Sequence, residues 1–207
     1  GLDFFVNSDV LDPRPDSENL IELILEYQQN QNSSLNILEL GVGSGCLSIT
    51  LLKNLTNSVG TAVDISEKAL EIALRNAKTH EVDNKLQLLK SDLFANISPE
   101  NLFDIIVSNP PYIPSKDISC LQQEVKIYEP HLALDGGIEG LDFYKRIAEL
   151  SKNFLKKDGK IFLEIGYGQK EDIEEIFNKN GFELTNVKKD LSNIDRALCF
   201  SPKIFLN

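Results

Sequence analysis

The chain has 207 residues, 42% of them hydrophobic, with 21 basic against 32 acidic side chains and a net charge of −11. That length suits one domain, taken here as 1–207, and no run of 18 apolar residues exists to span a membrane. A net acidic chain is repelled by phosphate backbones at long range, so direct nucleic-acid binding is not expected.

The first predicted element is a helix, with Ser17 as a candidate N-cap and Leu20, Ile21, Ile24 and Leu25 at helical spacing behind it. The polar stretch QQNQNSS ends it as a loop. LNILEL (35–40) reads as a buried strand, GVGSG (41–45) as a tight turn, and CLSITLLKNL (46–55) as a helix. VGTAVDI (59–65) is a second strand. Ser66 caps a helix carrying Ala69, Leu70, Ile72, Ala73 and Ala77. Strands follow at 85–92 and 102–108, then an irregular Pro- and Gly-rich stretch over 109–139, a length usually kept for a functional loop or lid. A helix over 141–157, a strand over 159–166 and a helix over 169–180 lead to two strands, 182–190 and 196–206.

Helix–strand alternation predicts an α/β fold, a mostly parallel sheet with helices on both faces. The last two of the seven strands have no helix between them, so they pair as an antiparallel hairpin at the C-terminal edge. Ligands of such open sheets sit beyond the carboxyl ends of the strands, where the strand order switches. Cys46, Cys120 and Cys199 are odd in number, widely spaced and lack a CxxC pair. A disulfide framework or metal site is therefore not expected, and a reduced cytoplasmic setting fits. His80 and His131 have no metal-ligand spacing, and the opening residues lack the basic start and apolar core of a signal peptide. The chain contains no Met, which marks it as processed, trimmed or part of something longer.

ELGVGSGC puts Gly41, Gly43 and Gly45 directly after the first strand. The GxGxG spacing is not the GxGxxG of a dinucleotide site, since Cys46 stands where the last glycine belongs, and no phosphate-loop lysine follows. Val42 and Ser44 complete a turn that suits a nucleoside. Asp64 closes the second strand, where a carboxylate can accept both ribose hydroxyls, or alternatively cap the next helix. Asp92 ends the third, able to accept from an adenine amine with Leu93 and Phe94 as an apolar wall. Glu39, two residues before the turn, either orients the amino-acid end of a cofactor or holds loop amides. Together these strand ends resemble the S-adenosylmethionine site of class I methyltransferases, a Rossmann-like fold.

The fourth strand ends in Asn109-Pro110-Pro111-Tyr112. Proline stops a strand by removing a donor and fixing φ, but the flanking amide and ring describe more. A planar NH2 is a poor nucleophile because its lone pair is delocalised. The Asn109 side-chain oxygen and the Pro110 carbonyl, aimed by Pro111, can hold both of its hydrogens and free the lone pair. Tyr112 can lie against the planar group. Asn109 would then face the cofactor sulfonium as well.

Taken together, FFVNSDVLDPRPDSE, ELGVGSGC, SDLF, NPPYI, YEPHLALDGGIEGLDFY, EIGYGQ and the DR at 195–196 resemble the HemK/PrmC family of release factor glutamine methyltransferases. The resemblance implies methyl transfer from S-adenosyl-L-methionine, leaving S-adenosyl-L-homocysteine, to the glutamine amide of a Gly-Gly-Gln loop in peptide-chain release factors. It assigns Gly41 to Gly45, Asp64, Asp92 and Leu93 to the cofactor and Asn109 to Tyr112 to the glutamine. Arg14 and Pro15 cover the pocket, and 113–140 becomes a substrate lid. An exocyclic-amine methyltransferase acting on DNA or RNA is the alternative. The family's N-terminal helical domain is absent from these residues, and Asp12 stands where the family more commonly has an apolar side chain.

Overall fold

The computed structural model describes residues 1–28, 34–121 and 129–203. Most of the predicted QQNQNSS loop, part of the 109–139 stretch and the end of the last predicted strand lie outside them. Seven strands form one sheet: β1 (Asn36–Leu40), β2 (Val59–Asp64), β3 (Leu86–Lys90), β4 (Phe103–Ser108), β5 (Leu155–Glu164), β6 (Phe182–Lys189) and β7 (Asp195–Pro202). The order is β3-β2-β1-β4-β5-β7-β6. The first five strands are parallel, and β7 inserts antiparallel between β5 and β6. The order switches between β1 and β4. Leu40 is level with Val63 on one side and Ser108 on the other, and Ser108 is level with Leu163. Gly41, Asp64, Asn109 and Glu164 therefore emerge at one height, side by side.

Among the described residues the α-helices are α1 (Asp16–Gln28), α2 (Cys46–Asn54), α3 (Glu67–Thr79), α4 (Asp142–Leu150) and α5 (Lys170–Lys179). On one face α4 and α5 bring Tyr144, Ile147, Ile173 and Phe177 against Leu38, Ile106, Leu163 and Phe200. On the other, α1 and α2 bring Leu20, Ile24, Leu47 and Leu51 against Ile37, Ile105 and Phe162, and α3 adds Ala73 and Ala77 under β2 and β3. Phe103, Phe162, Phe177, Phe182 and Phe200 are fully buried, and truncating any one to alanine costs about 3–5 kcal/mol. No described helix is long and apolar enough to cross a membrane.

Two expectations are corrected. The predicted 141–157 helix stops at Leu150, followed by a 3₁₀ turn over Ser151–Asn153. Phe154 leaves it to stack on Phe94 at 4.8 Å, and Leu155 opens β5 opposite Phe103. Ser17 does not cap α1. The helix begins one residue earlier, and Ser17 is buried within its first turn. Ser66 does cap α3, its Oγ accepting from the Ala69 amide at 3.3 Å.

Candidate active site

A cavity of about 370 Å³ opens at the carboxyl ends of β1, β2, β3 and β4. Its first wall is the N-terminal segment, which runs along α3 as a strap and contributes Asp9, Val10, Leu11, Pro13 and Arg14. The strap is fastened by Asn76, a buried side chain of α3. Asn76 Oδ1 accepts from the Phe5 amide at 2.9 Å, while its Nδ2 donates to the Phe5 carbonyl at 2.9 Å and the Ser44 carbonyl at 2.8 Å. One amide thus ties the strap to the glycine turn. Val6 and Val10 pack on Ala69 and Ile72, the Arg75 guanidinium lies over the Phe5 ring, and Lys68 pairs with Asp9. At its far end Arg14 pairs with the partly buried Glu129, next to the 130–133 segment whose Pro130, Leu132 and Ala133 form part of the cavity's roof. Pro15 is exposed and does not line the cavity; Asp12 is exposed too, so a charge there costs no burial.

The floor is the glycine turn. Gly41 and Gly43 adopt φ of 77° and 52°, and a Cβ on either would enter open space, leaving bare backbone for a ligand to approach. The amides of Gly41 and Val42 both donate to the Val63 carbonyl at 2.9 Å, pinning the turn to β2. Gly45 is turned away from the cavity, toward Ile49 and Ala73. It lets α2 pack on α3 and is not among the residues lining the cavity. Asp64 stands at the rim, with Oδ2 accepting from Gly43 at 3.0 Å and Oδ1 from Ser66 at 2.9 Å. It braces the start of α3, whose cap is Ser66, and lines the cavity with lone pairs to spare. Asp92 lines the cavity and meets Arg146 of α4 at 2.8 Å; Leu93 completes the apolar wall with Phe143 rather than with the expected Phe94, which is buried against Phe154.

Glu39 is 1% exposed and also faces the cavity. Its Oε2 accepts from the amide and hydroxyl of Ser48 in the first turn of α2, and burial lifts its carboxyl to about 8 despite those bonds. Burial likewise pushes the Cys46 thiol up to about 12, which leaves it inert as a nucleophile.

Asn109 and Pro111 line the cavity; Pro110 and Tyr112 do not, Pro110 being buried and Tyr112 packed against the core below. Burial pushes the Tyr112 phenol to about 12, so it stays protonated. The turn is held from behind. Gln169 Nε2 donates to the Tyr112 carbonyl at 3.0 Å and to the Gly140 carbonyl at 3.3 Å, while its Oε1 accepts from the Gly166 amide at 2.9 Å. The 134–137 segment docks alongside through Ile113 to Leu134 at 3.1 Å, Gly136 to Ile113 at 2.9 Å and Ser115 to Gly137 at 2.9 Å. DGGIEG is thus a buttress for Pro-Pro-Tyr. Sequence reasoning missed Ser17 and Glu164 here. Asn109 Nδ2 donates to Ser17 Oγ at 3.3 Å, and Ser17 donates to Glu164 Oε2 at 2.6 Å. Among the described residues no group of His, Cys, Asp and Glu is arranged to hold a metal.

This sheet order, with a glycine turn after β1, acids closing β2 and β3 and the substrate-side turn after β4, defines a class I methyltransferase. Residues 17–138 match the methyltransferase small domain. The chain is 39% identical to the release factor glutamine methyltransferase of Agrobacterium fabrum, over 97% of this chain and 70% of that protein. It is 42% identical to the bifunctional methyltransferase of Rickettsia bellii, over 95% of this chain and 40% of that protein. The solved protein-(glutamine-N5) methyltransferase (release factor-specific) of Alicyclobacillus acidocaldarius superposes with a TM-score of 0.57 at 26% identity, over 93% of this chain and 94% of that one. The chain belongs to the release factor glutamine methyltransferase family, HemK/PrmC. It spans only 40% to 70% of the length of these two curated relatives.

Proposed function

We propose that this chain transfers a methyl group from S-adenosylmethionine to the side-chain amide nitrogen of the glutamine in a Gly-Gly-Gln loop of peptide-chain release factors, in the cytoplasm. The observation that carries this reading is Asn109 at the mouth of a nucleoside-sized cavity, with its amide nitrogen engaged behind it by Ser17. Its oxygen is thereby offered to an incoming NH2.

The cavity suits the cofactor. In this reading Asp64 would take the ribose hydroxyls, Asp92 and Leu93 the adenine, and the backbone of Gly41 to Ser44 the amino-acid portion beside Glu39; that all of them line one cavity supports it. When bound, S-adenosylmethionine supplies a methyl carbon made electrophilic by a sulfonium. The chain's own residues do the rest by positioning. Asn109 Oδ1, at the cavity mouth, would hold one N–H of the glutamine amide and the main-chain carbonyl of Pro110, a residue itself buried outside the cavity lining, would hold the other, so the amide lone pair points at the methyl. The methyl the cofactor supplies would pass to the amide nitrogen, the carbon–sulfur electron pair remaining on sulfur, and the cationic nitrogen would release its proton to water. No strong base is required, in keeping with a site whose nearest phenol stays protonated.

The reading is tested by incubating the chain with labelled cofactor and, in parallel, a release factor and mixed DNA and RNA. Label in the release factor, lost when its loop glutamine becomes asparagine, is expected. Label in nucleic acid alone would overturn the reading in favour of an exocyclic-amine methyltransferase.

A further inference from the structure

We infer that Glu164 and Ser17 are positioning residues that set the orientation of the Asn109 carboxamide, turning its oxygen rather than its nitrogen to the cavity. The inference rests on the function proposed above, because it concerns the acceptor that reading assigns to Asn109. A carboxamide has two ends of nearly equal shape and opposite hydrogen-bonding character. Flipped, Asn109 would set N–H against the N–H of its substrate and repel the group it must hold.

The direction is decided by the last member of the chain. An ionised carboxylate only accepts, so the single Ser17 hydroxyl proton goes to Glu164 Oε2, 2.6 Å away. The Ser17 oxygen is then left with lone pairs, and lone pairs select the NH2 end of Asn109, whose Nδ2 lies 3.3 Å off. Glu164 is itself held in place by the sheet. It ends β5 level with Ala197 of β7, its carbonyl accepts from the Tyr144 hydroxyl at 2.8 Å, and it is 1% exposed. A carboxylate so deeply buried is expensive unless it is used, and its hydrogen-bonding side-chain partners are Ser17 and the Asn109 amide itself, so it draws the NH2 end of Asn109 toward it directly as well as through Ser17.

The groups facing it are Asp16 of α1, Arg196 of β7, the Asn109 amide, the phenols of Tyr112 and Tyr144 and the Cys46 thiol of α2. Arg196 opposes Asp16, with which it pairs at 3.3 Å. Burial dominates and lifts the Glu164 carboxyl to about 7. A protonated Glu164 can donate to Ser17, freeing the hydroxyl to donate to Asn109 and permitting the flip. Turnover should therefore fall as pH drops through about 7.

The test compares wild type with Glu164→Gln, Ser17→Ala, Asn109→Ala and the Glu164→Gln/Asn109→Ala double variant. Turnover on a release factor is measured alongside S-adenosylhomocysteine affinity by calorimetry. Either single change at the chain should lower kcat by about 10- to 100-fold, the scale of a lost preorganised hydrogen bond. KM and cofactor affinity should stay within about twofold. Glu164→Gln should also remove the fall in kcat at low pH, and should cost nothing further in the Asn109→Ala background. Wild-type kcat in Glu164→Gln, or a loss that adds in full to that of Asn109→Ala, overturns the inference. Nuclear magnetic resonance of the Asn109 side-chain NH2, assigned by its absence in Asn109→Ala, gives an answer independent of turnover. One proton should resonate downfield with slow exchange in wild type and lose that signature in Ser17→Ala and Glu164→Gln. Absence of that signature in wild type overturns the inference; its presence with no methyl transfer to the release factor overturns only the proposed function.

Discussion

Replacing Asn76 by alanine should loosen the cavity from a distance. Asn76 is 1% exposed and makes three hydrogen bonds of 2.8 to 2.9 Å, two to the Phe5 backbone and one to the Ser44 carbonyl. At about 1 kcal/mol net for each, the variant loses about 3 kcal/mol of stability, more if the buried Ser44 carbonyl finds no water. The two bonds to Phe5 alone, about 2 kcal/mol, bias the strap toward release by up to about thirtyfold. The strap carries Asp9, Val10, Leu11, Pro13 and Arg14 of the cavity wall, so apparent affinity for S-adenosylhomocysteine should weaken by about tenfold through the smaller competent fraction. Urea unfolding reads the first effect and calorimetry the second, with proteolysis near residues 1–14 as an independent sign of strap release. Lost stability with unchanged cofactor affinity would refute the coupling between strap and cavity. Unchanged stability would refute the hydrogen-bond reckoning itself.

Other outcomes follow from the same geometry. Asp64→Ala removes the acceptor of the Gly43 and Ser66 amides as well as the proposed ribose partner; S-adenosylhomocysteine should bind about 100-fold more weakly, and unchanged calorimetric affinity counts against the assignment. Gly136→Ala would place a Cβ 2.7 Å from the Pro111 carbonyl oxygen and 2.8 Å from the Tyr112 Cα. Turnover should drop at least about tenfold with cofactor affinity retained, since a small backbone shift of Pro-Pro-Tyr misaims the acceptors; a fully active variant shows that the buttress does not position the turn. Glu39 holds its proton more tightly folded than unfolded, its carboxyl standing at about 8 against an ordinary 4.5. Its contribution to stability is thus complete below about 4.5 and lost as pH rises through 8. Thermal unfolding of Glu39→Gln should show a flatter decline over that range than wild type, and parallel curves contradict the argument.

Much of this was legible in the sequence for identifiable reasons. The parallel strands are short apolar runs that end at punctuation: the glycine turn, Asp64, Asp92 and Asn-Pro-Pro. The same punctuation marks the site, because the carboxyl ends of such strands are where the chain must turn and a ligand can approach. The α4 boundary failed because Phe154 and Leu155 continue the apolar spacing of the helix while belonging to a neighbouring aromatic stack and strand. Ser17 was misread because a serine before an apolar run is a capping signal in local terms; its actual partners, Asn109 and Glu164, lie 92 and 147 residues away. Asn76 carried a faint signal, a polar residue at the buried spacing of Ala69, Ile72, Ala73 and Ala77. Glu164 carried a clearer one. Both LNILEL and KIFLEI place a glutamate deep in an apolar strand, and those strands flank β4 on either side. Only tertiary pairing reveals that one holds the start of α2 and the other the Ser17–Asn109 pair.

The central claim is that the Asn109 turn directs a methyl group onto a glutamine amide nitrogen. It is tested most directly by fragmentation mass spectrometry of a release factor after incubation with the chain and S-adenosylmethionine. A single methyl on the side-chain nitrogen of the Gly-Gly-Gln glutamine, formed far more slowly by Asn109→Ala although that variant still binds S-adenosylhomocysteine, is the predicted result. A methyl on any other residue, or equal methylation by Asn109→Ala, contradicts it.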